Sequence, residues 1–318
     1  MKKLNRRGFL AAAGAGLLAS KTAKAQELRA RIWAALNYLS LPGNFSPWCF
    51  GAFQVNGVSS SPPWSEVPLF EVSNWARAIL AALAKGLDPA NLSGRNLVSE
   101  LMALLASPSL PQNAYAWGIV ALRAAGMPVN HPTLIDCRDR LLGNQDENLG
   151  WGADPALPNS NDTAAALIAL ADLGLTTDAL AIQNGAVALY SYQTPGGGFA
   201  LAPDLEADAC SDAWAIAALN RLGLGLNGDA ISHLISLQAL DGSFNFQADQ
   251  DGQSTFRATT TAYALVALAE QAWPTQTGAN PPSDPESPGL PLRLGAVLAG
   301  AGAISGLAVW RLNRFNRD

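Results

Sequence analysis

Two kinds of helical pattern alternate along the middle of the chain. The first kind is apolar on nearly every face and rich in alanine, which is typical of a helix buried on most sides. Most of these segments begin beside Asn, Asp, Ser or Thr, the residues preferred at helix N-caps. The pattern therefore predicts five buried helices, at Asn74–Leu83, Ala114–Leu122, Asp162–Leu170, Ser211–Leu219 and Thr260–Leu268.

The second kind of segment is amphipathic, and one precedes each buried helix. These segments are Glu27–Leu39, Leu92–Leu105, Pro132–Leu142, Ala179–Tyr192 and Ala230–Leu237. Helices that hide an apolar stripe pack in layers around a common core. We therefore predict an all-α fold, an α/α toroid of about five to six helical hairpins, with alanine-rich inner helices and amphipathic outer helices. The N-termini of the inner helices are expected to open at one end of the ring.

A short turn motif recurs in the second half of the chain. Each copy places an aromatic residue six positions after a glutamine, as Gln145 with Trp151, Gln193 with Phe199 and Gln238 with Phe244. The glutamines are 48 and 45 residues apart, a period that indicates stacked supersecondary units. Glycine before the aromatic permits the backbone reversal. We expect the aromatic ring to plug the space between hairpins, and the amide to bind backbone groups at a helix end.

This turn, with its period and its helices, resembles the repeats of the prenyltransferase and squalene-cyclase (terpenoid cyclase) superfamily. The resemblance covers residues 130–272 well and 26–127 by helix pattern alone. It implies an α/α toroid like those of protein prenyltransferase β subunits, class II terpene cyclases, complement-type thioester domains and cobalamin carriers. Members usually have six hairpins, whereas the pattern here gives five.

The resemblance implies where a cyclase acid would lie. Class II terpene cyclases protonate an alkene with the middle aspartate of an Asp-x-Asp-Asp motif. The corresponding residues here are Asn159, Ser160, Asn161 and Asp162. Asn161 occupies the position of the acid, and an amide cannot deliver a proton to an alkene. We therefore expect Asp162 to cap its helix, with a rearranged acid as the alternative.

The resemblance also implies a zinc site, but only part of it is present. Protein prenyltransferases bind zinc through Asp-x-Cys and a later histidine, and this chain has Asp208 and Cys210. The later position holds Thr259–Thr261, and the two histidines, His131 and His233, fall on predicted outer helices. We expect Asp208 and Cys210 to be loop and helix-start residues. Asp162, Asp208 and Asp212 are the candidates for a rearranged catalytic acid, and the sequence does not identify a cofactor.

Aromatic residues suggest a binding surface near the mouth of the ring. Trp75, Trp117, Trp214 and Tyr263 lie at similar positions in the buried helices. Such rings suit an apolar or cationic ligand through stacking and cation–π contact. The alternative is packing between helices. The segment Phe45–Phe70 adds more aromatics and is predicted to be a long irregular loop, a possible lid.

Charge and cysteine content narrow the range of functions. Residues 26–291 carry 10 basic and 24 acidic residues, a net charge of −14. Such a body repels phosphate backbones, which excludes nucleic-acid binding as a main function. Three scattered cysteines, Cys49, Cys137 and Cys210, are too few for a disulfide framework. We expect three buried thiols, with one bridge and one free thiol as the alternative.

Both ends of the chain resemble addressing segments. Residues 1–25 combine Arg6-Arg7, an apolar run and a small-residue cleavage site, as in a Tat-like signal peptide; a Sec signal is the alternative. Residues 276–292 form a proline-rich linker, 293–311 a predicted transmembrane helix and 312–318 a basic cytoplasmic tail. The toroid, residues 26–275, is then expected outside the membrane. Removal of the C-terminal segment by processing is the alternative.

Three functions remain compatible with the sequence. The first is an extracytoplasmic, membrane-tethered module that binds a hydrophobic or planar ligand, such as an isoprenoid or a corrinoid, without complete catalytic motifs. The second is a prenyltransferase-like or terpene-cyclase-like enzyme with a non-standard acid. The third is a structural or protein-interaction scaffold.

Overall fold

The computed structural model describes residues 24–58, 63–64, 67–145, 147, 149–224, 228–248 and 256–275. These residues form helices and loops, and their only β pairing consists of isolated bridges. The predicted signal peptide (all but its last two residues), the linker, the transmembrane helix and the basic tail lie outside them. Within the described part of the chain, no helix combines the length and apolar character needed to span a membrane.

Eleven α-helices are described, together with a 3₁₀ turn at Pro89–Asn91. They are α1 (24–40), α2 (Cys49–Val55), α3 (Val72–Ala84), α4 (Leu97–Leu105), α5 (Gln112–Ala124), α6 (Pro132–Gly143), α7 (Ser160–Asp172), α8 (Leu180–Ser191), α9 (Ala209–Arg221), α10 (Gly228–Ser236) and α11 (Arg257–Leu268). All ten predicted helices are present.

Six inner helices form a closed ring. Each helix contacts the next in the series α2, α3, α5, α7, α9 and α11, and the last of them, α11, contacts α2. The prediction of an irregular loop over Phe45–Phe70 was therefore wrong in part, because α2 is the sixth inner helix. Six of its seven residues are buried. A helix of two turns is too short to produce a helical period that can be recognised in the sequence.

Neighbouring inner helices run parallel, as contacts at the ends of α5, α7 and α9 demonstrate. At the starts of α5 and α7, Asn113 Nδ2 donates to Asp162 Oδ1 at 3.1 Å. At their far ends, Arg123 Nε donates to the Asp172 carbonyl at 3.2 Å, and Arg221 of α9 pairs with the Asp172 carboxylate. At the starts of α9 and α11, Cys210 Sγ lies 3.5 Å from Thr260 Oγ1. The N-termini of α5, α7, α9 and α11 thus share one end of the ring, which we call the mouth.

The repeated turns are held by the same bonds in each copy. The backbone N–H of each turn aromatic donates to a side chain of the following inner helix. The pairs are Trp151 with Thr163 Oγ1 (3.0 Å), Phe199 with Asp212 Oδ1 (2.6 Å) and Phe244 with Thr261 Oγ1 (2.9 Å). These three rings are at most 1% exposed, as expected for plugs between hairpins.

The turn glutamines bind backbone carbonyls, as predicted. Gln193 donates to the Gly197 carbonyl at 2.7 Å. Gln238 donates to the carbonyls of Gly242 at 3.0 Å and of Arg31 in α1 at 2.8 Å. The last turn is thereby joined to the first outer helix, α1.

One outer helix starts later than predicted. The segment Leu92–Leu105 becomes helical only at Leu97, because Ser93 and Gly94 have positive φ angles of 53° and 79°. The tight turn that they form is closed by paired backbone bonds between Leu92 and Arg95, at 2.9 and 3.0 Å. A right-handed helix cannot include that conformation.

Candidate functional site

Five aromatic rings pack together inside the ring of helices, and we call this cluster the aromatic floor. Neighbouring ring centroids lie 4.9–6.4 Å apart, within the range of aromatic contact. The five residues are Trp48, Trp117, Trp214, Tyr263 and Trp273. Trp48, Trp214 and Trp273 are 6%, 4% and 2% exposed, whereas Trp117 and Tyr263 remain partly exposed.

Helix register explains how the floor is built. Trp117 and Trp214 are each the sixth residue of a 13-residue helix, α5 and α9. The sixth residue of α7, which lies between them, is Ala165. Because alanine is small, the two indole rings meet across α7 with their centroids 5.1 Å apart.

The predicted binding residues are brought together with one exception. Trp75 is the fourth residue of α3 and faces the outer layer, where its Nε1 donates to Glu100 Oε2 at 3.0 Å. Sequence reasoning did not identify Trp273, which follows the last repeat. Trp48 was noted only as a residue of the predicted loop. It lies directly before α2, and because that helix is too short to be recognised in the sequence, no sequence signal assigns Trp48 to the site.

A ring of neutral polar residues lies one helical turn nearer the mouth, and we call it the polar collar. Its members are Asn113, Asn161, Cys210 and Thr259. They lie four positions before Trp117, Ala165, Trp214 and Tyr263, respectively. Residues at i and i+4 share a helix face, so the collar and the floor face the same lumen. All four collar residues are partly buried. Thr259 Oγ1 donates to Ser46 Oγ at 2.8 Å.

Asp162 does not cap α7, contrary to the prediction. The N-cap is Asn159, whose Oδ1 accepts from the Asp162 backbone N–H at 2.9 Å. Asp162 is the third helical residue, and its two oxygens accept from the side chains of Asn159 at 2.7 Å and Asn113 at 3.1 Å. The carboxylate therefore joins the starts of two inner helices.

Asp208 and Cys210 occupy a helix start, as predicted. Asp208 is the N-cap of α9 and accepts from the backbone N–H groups of Cys210 and Ser211, both at 2.9 Å. Burial raises the pKa of the Asp208 carboxyl, and burial also raises the pKa of the Cys210 thiol to about 12. A protonated thiol is a poor metal ligand. Within the described residues, no three His, Cys, Asp or Glu side chains gather as a metal site.

Asp212 forms a buried pair with His233, which the sequence did not predict. His233 Nδ1 of α10 lies 2.6 Å from Asp212 Oδ2, and the two side chains are 22% and 0% exposed. Burial raises the pKa of Asp212, while His233 and the Phe199 N–H oppose that rise. The hydrogen bond to Asp212 raises the pKa of His233. A Cβ on Gly198 would lie 2.3 Å from His233 Nδ1, so this turn requires glycine.

The three cysteines are unpaired in the structure. Cys49 and Cys137 are buried, whereas Cys210 in the collar is partly exposed. Burial raises the pKa of the Cys49 and Cys137 thiols to about 12. The first two therefore match the expectation of buried thiols.

Comparison with known proteins finds similar folds among terpene cyclases. The apo structure of type II terpene cyclase MstE from Scytonema matches with a TM-score of 0.46 and 15% identity, over 76% of this chain and 86% of that chain. A variant of MstE in complex with its substrate, geranylgeranyl dihydroxybenzoate, matches with a TM-score of 0.43 and 15% identity, over 77% and 87%. A variant with its product, merosterolic acid A, gives 0.43 and 15%, over 77% and 86%.

No protein-family model matches the sequence, and no curated protein matches it. Among the described residues, the inner helices form a closed ring, and the outer helices α4, α6, α8 and α10 pack against it, as expected of an α/α toroid.

Proposed function

We propose that this chain is an extracytoplasmic, membrane-tethered binding module that holds a hydrophobic or planar ligand at the mouth of its toroid. The observation that carries the proposal is the aromatic floor beneath the polar collar. Trp117 and Tyr263 are the two members of the floor that are only partly buried. Aromatic faces bind apolar or planar groups, and a few polar groups around them fix orientation. An isoprenoid-like or corrinoid-like molecule suits this surface.

The candidate acids favour binding over catalysis. Asp162, Asp208 and Asp212 each accept two or more hydrogen bonds from protein groups that hold helix starts and turns. Asn161, in the position of the cyclase acid, cannot donate a proton to an alkene. A general acid must instead be free to reach the substrate atom that it protonates.

The location rests on the two ends of the chain. The Tat-like residues 1–25 and the apolar residues 293–311 with their basic tail support an exported domain held at the membrane. Protease treatment of spheroplasts tests this part. We expect the toroid to be digested or released from outside while a short C-terminal peptide stays with the membrane.

A scaffold function is the second candidate, because Trp48 and Trp273 fill the centre of the lumen. A filled lumen leaves room for a ligand only at the mouth. A protein that serves only as a scaffold would show no saturable binding of small apolar molecules there.

Tryptophan fluorescence of the full-length protein in nanodiscs distinguishes the two functions. Farnesol and dicyanocobinamide serve as probes. All titrations use one lipid concentration, so that the fraction of probe dissolved in the lipid is the same for every variant. We expect saturable quenching by at least one probe, and at least tenfold weaker binding by Trp117→Ala. Trp75→Ala is the matched control, because Trp75 lies outside the floor. The binding proposal is contradicted if the quenching does not saturate, or if Trp117→Ala binds the probe as tightly as Trp75→Ala does.

A further inference from the structure

In the inner helix α3, a cationic residue occupies the position that is aromatic in α5 and α9. Arg77 is the sixth residue of α3, the register position that Trp117 occupies in α5 and Trp214 in α9. The guanidinium therefore belongs to the face that lines the lumen. Its charge also reaches the floor, since it opposes part of the rise that burial causes in the pKa of Tyr263.

Arg77 lacks a partner among the described residues. Its Nε is buried and makes no hydrogen bond, and none of the ion pairs in the described part of the chain includes it. Asp172 and Asp212, in contrast, are buried acids with basic partners. The Arg77 side chain is only partly buried, so its two terminal nitrogens remain within reach of a ligand. A cation with no described partner on the lumen side of a helix can form charge-assisted hydrogen bonds with an anion that binds there.

The side chains around Arg77 indicate which kind of molecule would carry that anion. The equivalent sixth positions of α5, α7 and α9 are Trp117, Ala165 and Trp214, and the collar residues are neutral. A ligand that reaches Arg77 therefore places the rest of its surface against aromatic and small apolar side chains. The planar guanidinium fork matches the oxygens of a carboxylate or a phosphate.

We propose that Arg77 anchors the acidic end of an amphiphilic ligand, a carboxylate or phosphate joined to an apolar or planar body. This inference rests on the proposed binding function and names the class of ligand for the same site. Arg77 supplies the charge-assisted hydrogen bonds, and the aromatic floor holds the body of the molecule.

A matched set of probes tests the proposal on the full-length protein in nanodiscs of neutral lipid. Farnesol, farnesoic acid and farnesyl phosphate share one apolar chain and differ in the head group. We expect at least one of the two acids to bind about tenfold or more tightly than the alcohol, as a charge-assisted hydrogen bond implies. Arg77→Met should remove this preference, and Arg77→Lys should retain part of it. Which acid binds more tightly identifies the head group.

Stability separates a binding role from a structural one. Arg77→Met removes a cation that has no described partner, so we expect its urea midpoint to equal or exceed that of the wild type. A lower midpoint would show that Arg77 supports the fold and would overturn the proposal. Equal affinity of acids and alcohol for the wild type would also overturn it, while leaving the proposed function intact. The absence of saturable binding by all three probes would overturn it as well, and a failure of dicyanocobinamide to bind in addition would refute the proposed function.

Discussion

Replacing Asp212 with alanine removes the acceptor of two buried groups at once. Asp212 Oδ1 accepts from the Phe199 N–H at 2.6 Å, and Oδ2 lies 2.6 Å from His233 Nδ1. The carboxylate is fully buried, and the Phe199 side chain is 1% exposed. Breaking a buried charged pair by removing one partner costs about 3–5 kcal/mol. We expect the free energy of unfolding of Asp212→Ala to fall by roughly that amount.

The other repeats supply a matched variant. Threonine occupies the position of Asp212 in α7 and α11, where Thr163 and Thr261 accept the same backbone N–H. Asp212→Thr should therefore keep the bond to Phe199 and lose only the contact with His233. We expect it to lose about 1–2 kcal/mol. Urea unfolding followed by tryptophan fluorescence measures both variants. The reasoning fails if the two variants are equally destabilised, or if Asp212→Ala changes stability by less than about 0.5 kcal/mol.

The same pair predicts a dependence on pH. The pKa of His233 is raised above 6.5 by its hydrogen bond to Asp212. A basic group with a raised folded-state pKa stabilises the fold fully below its unfolded pKa, and this contribution is lost as the pH rises through the folded pKa. The stability difference between wild type and His233→Gln should therefore be largest below pH 6.5 and shrink at higher pH. A difference that grows with pH would contradict this assignment.

Three further predictions follow from packing and burial. A Cβ on Gly185 would lie 2.5 Å from the Trp151 ring, so Gly185→Ala should lower the free energy of unfolding by about 1–3 kcal/mol in urea titrations, whereas Gly143→Ala, with open space around it, should not. Burial raises the pKa of Asp172 to about 6, so the contribution of this carboxyl to stability should fall by roughly 2–3 kcal/mol as the pH rises from 4 to 6. Urea titrations should show the wild type losing about that much relative to Asp172→Asn, and an equal pH dependence of the two proteins would contradict it. Buried Cys137 should resist iodoacetamide in the native protein at pH 8 and react in urea, as mass spectrometry would show; equal labelling in both states would contradict its burial.

Much of the fold could be predicted because the repeats carry two strong signals. Alanine-rich helices and the glutamine-to-aromatic turn located all five later inner helices and the plugs at Trp151, Phe199 and Phe244. The sixth inner helix, α2, escaped prediction because seven residues give no clear helical period. Its presence closes the ring, which the pattern alone left open between five and six hairpins.

The candidate site was less predictable, because two of its five aromatic residues come from outside the repeat pattern. Trp48 precedes the helix that the pattern missed, and Trp273 follows the last repeat. Trp75 was predicted to belong to the site. It lies two positions before the register of Trp117 and Trp214, so it faces outward, and Arg77 holds the position that faces the lumen. The pair of Asp212 and His233 joins neighbouring outer and inner helices, and sequence spacing does not reveal which histidine reaches which acid.

The most direct test of the binding proposal is native mass spectrometry of the full-length protein purified from the membranes of its own host. The account predicts that the wild type carries one small organic molecule, that unfolding releases it, and that Trp117→Ala lacks it. A wild-type protein with only the mass of its polypeptide, or a bound molecule that Trp117→Ala retains unchanged, would contradict binding at the aromatic floor.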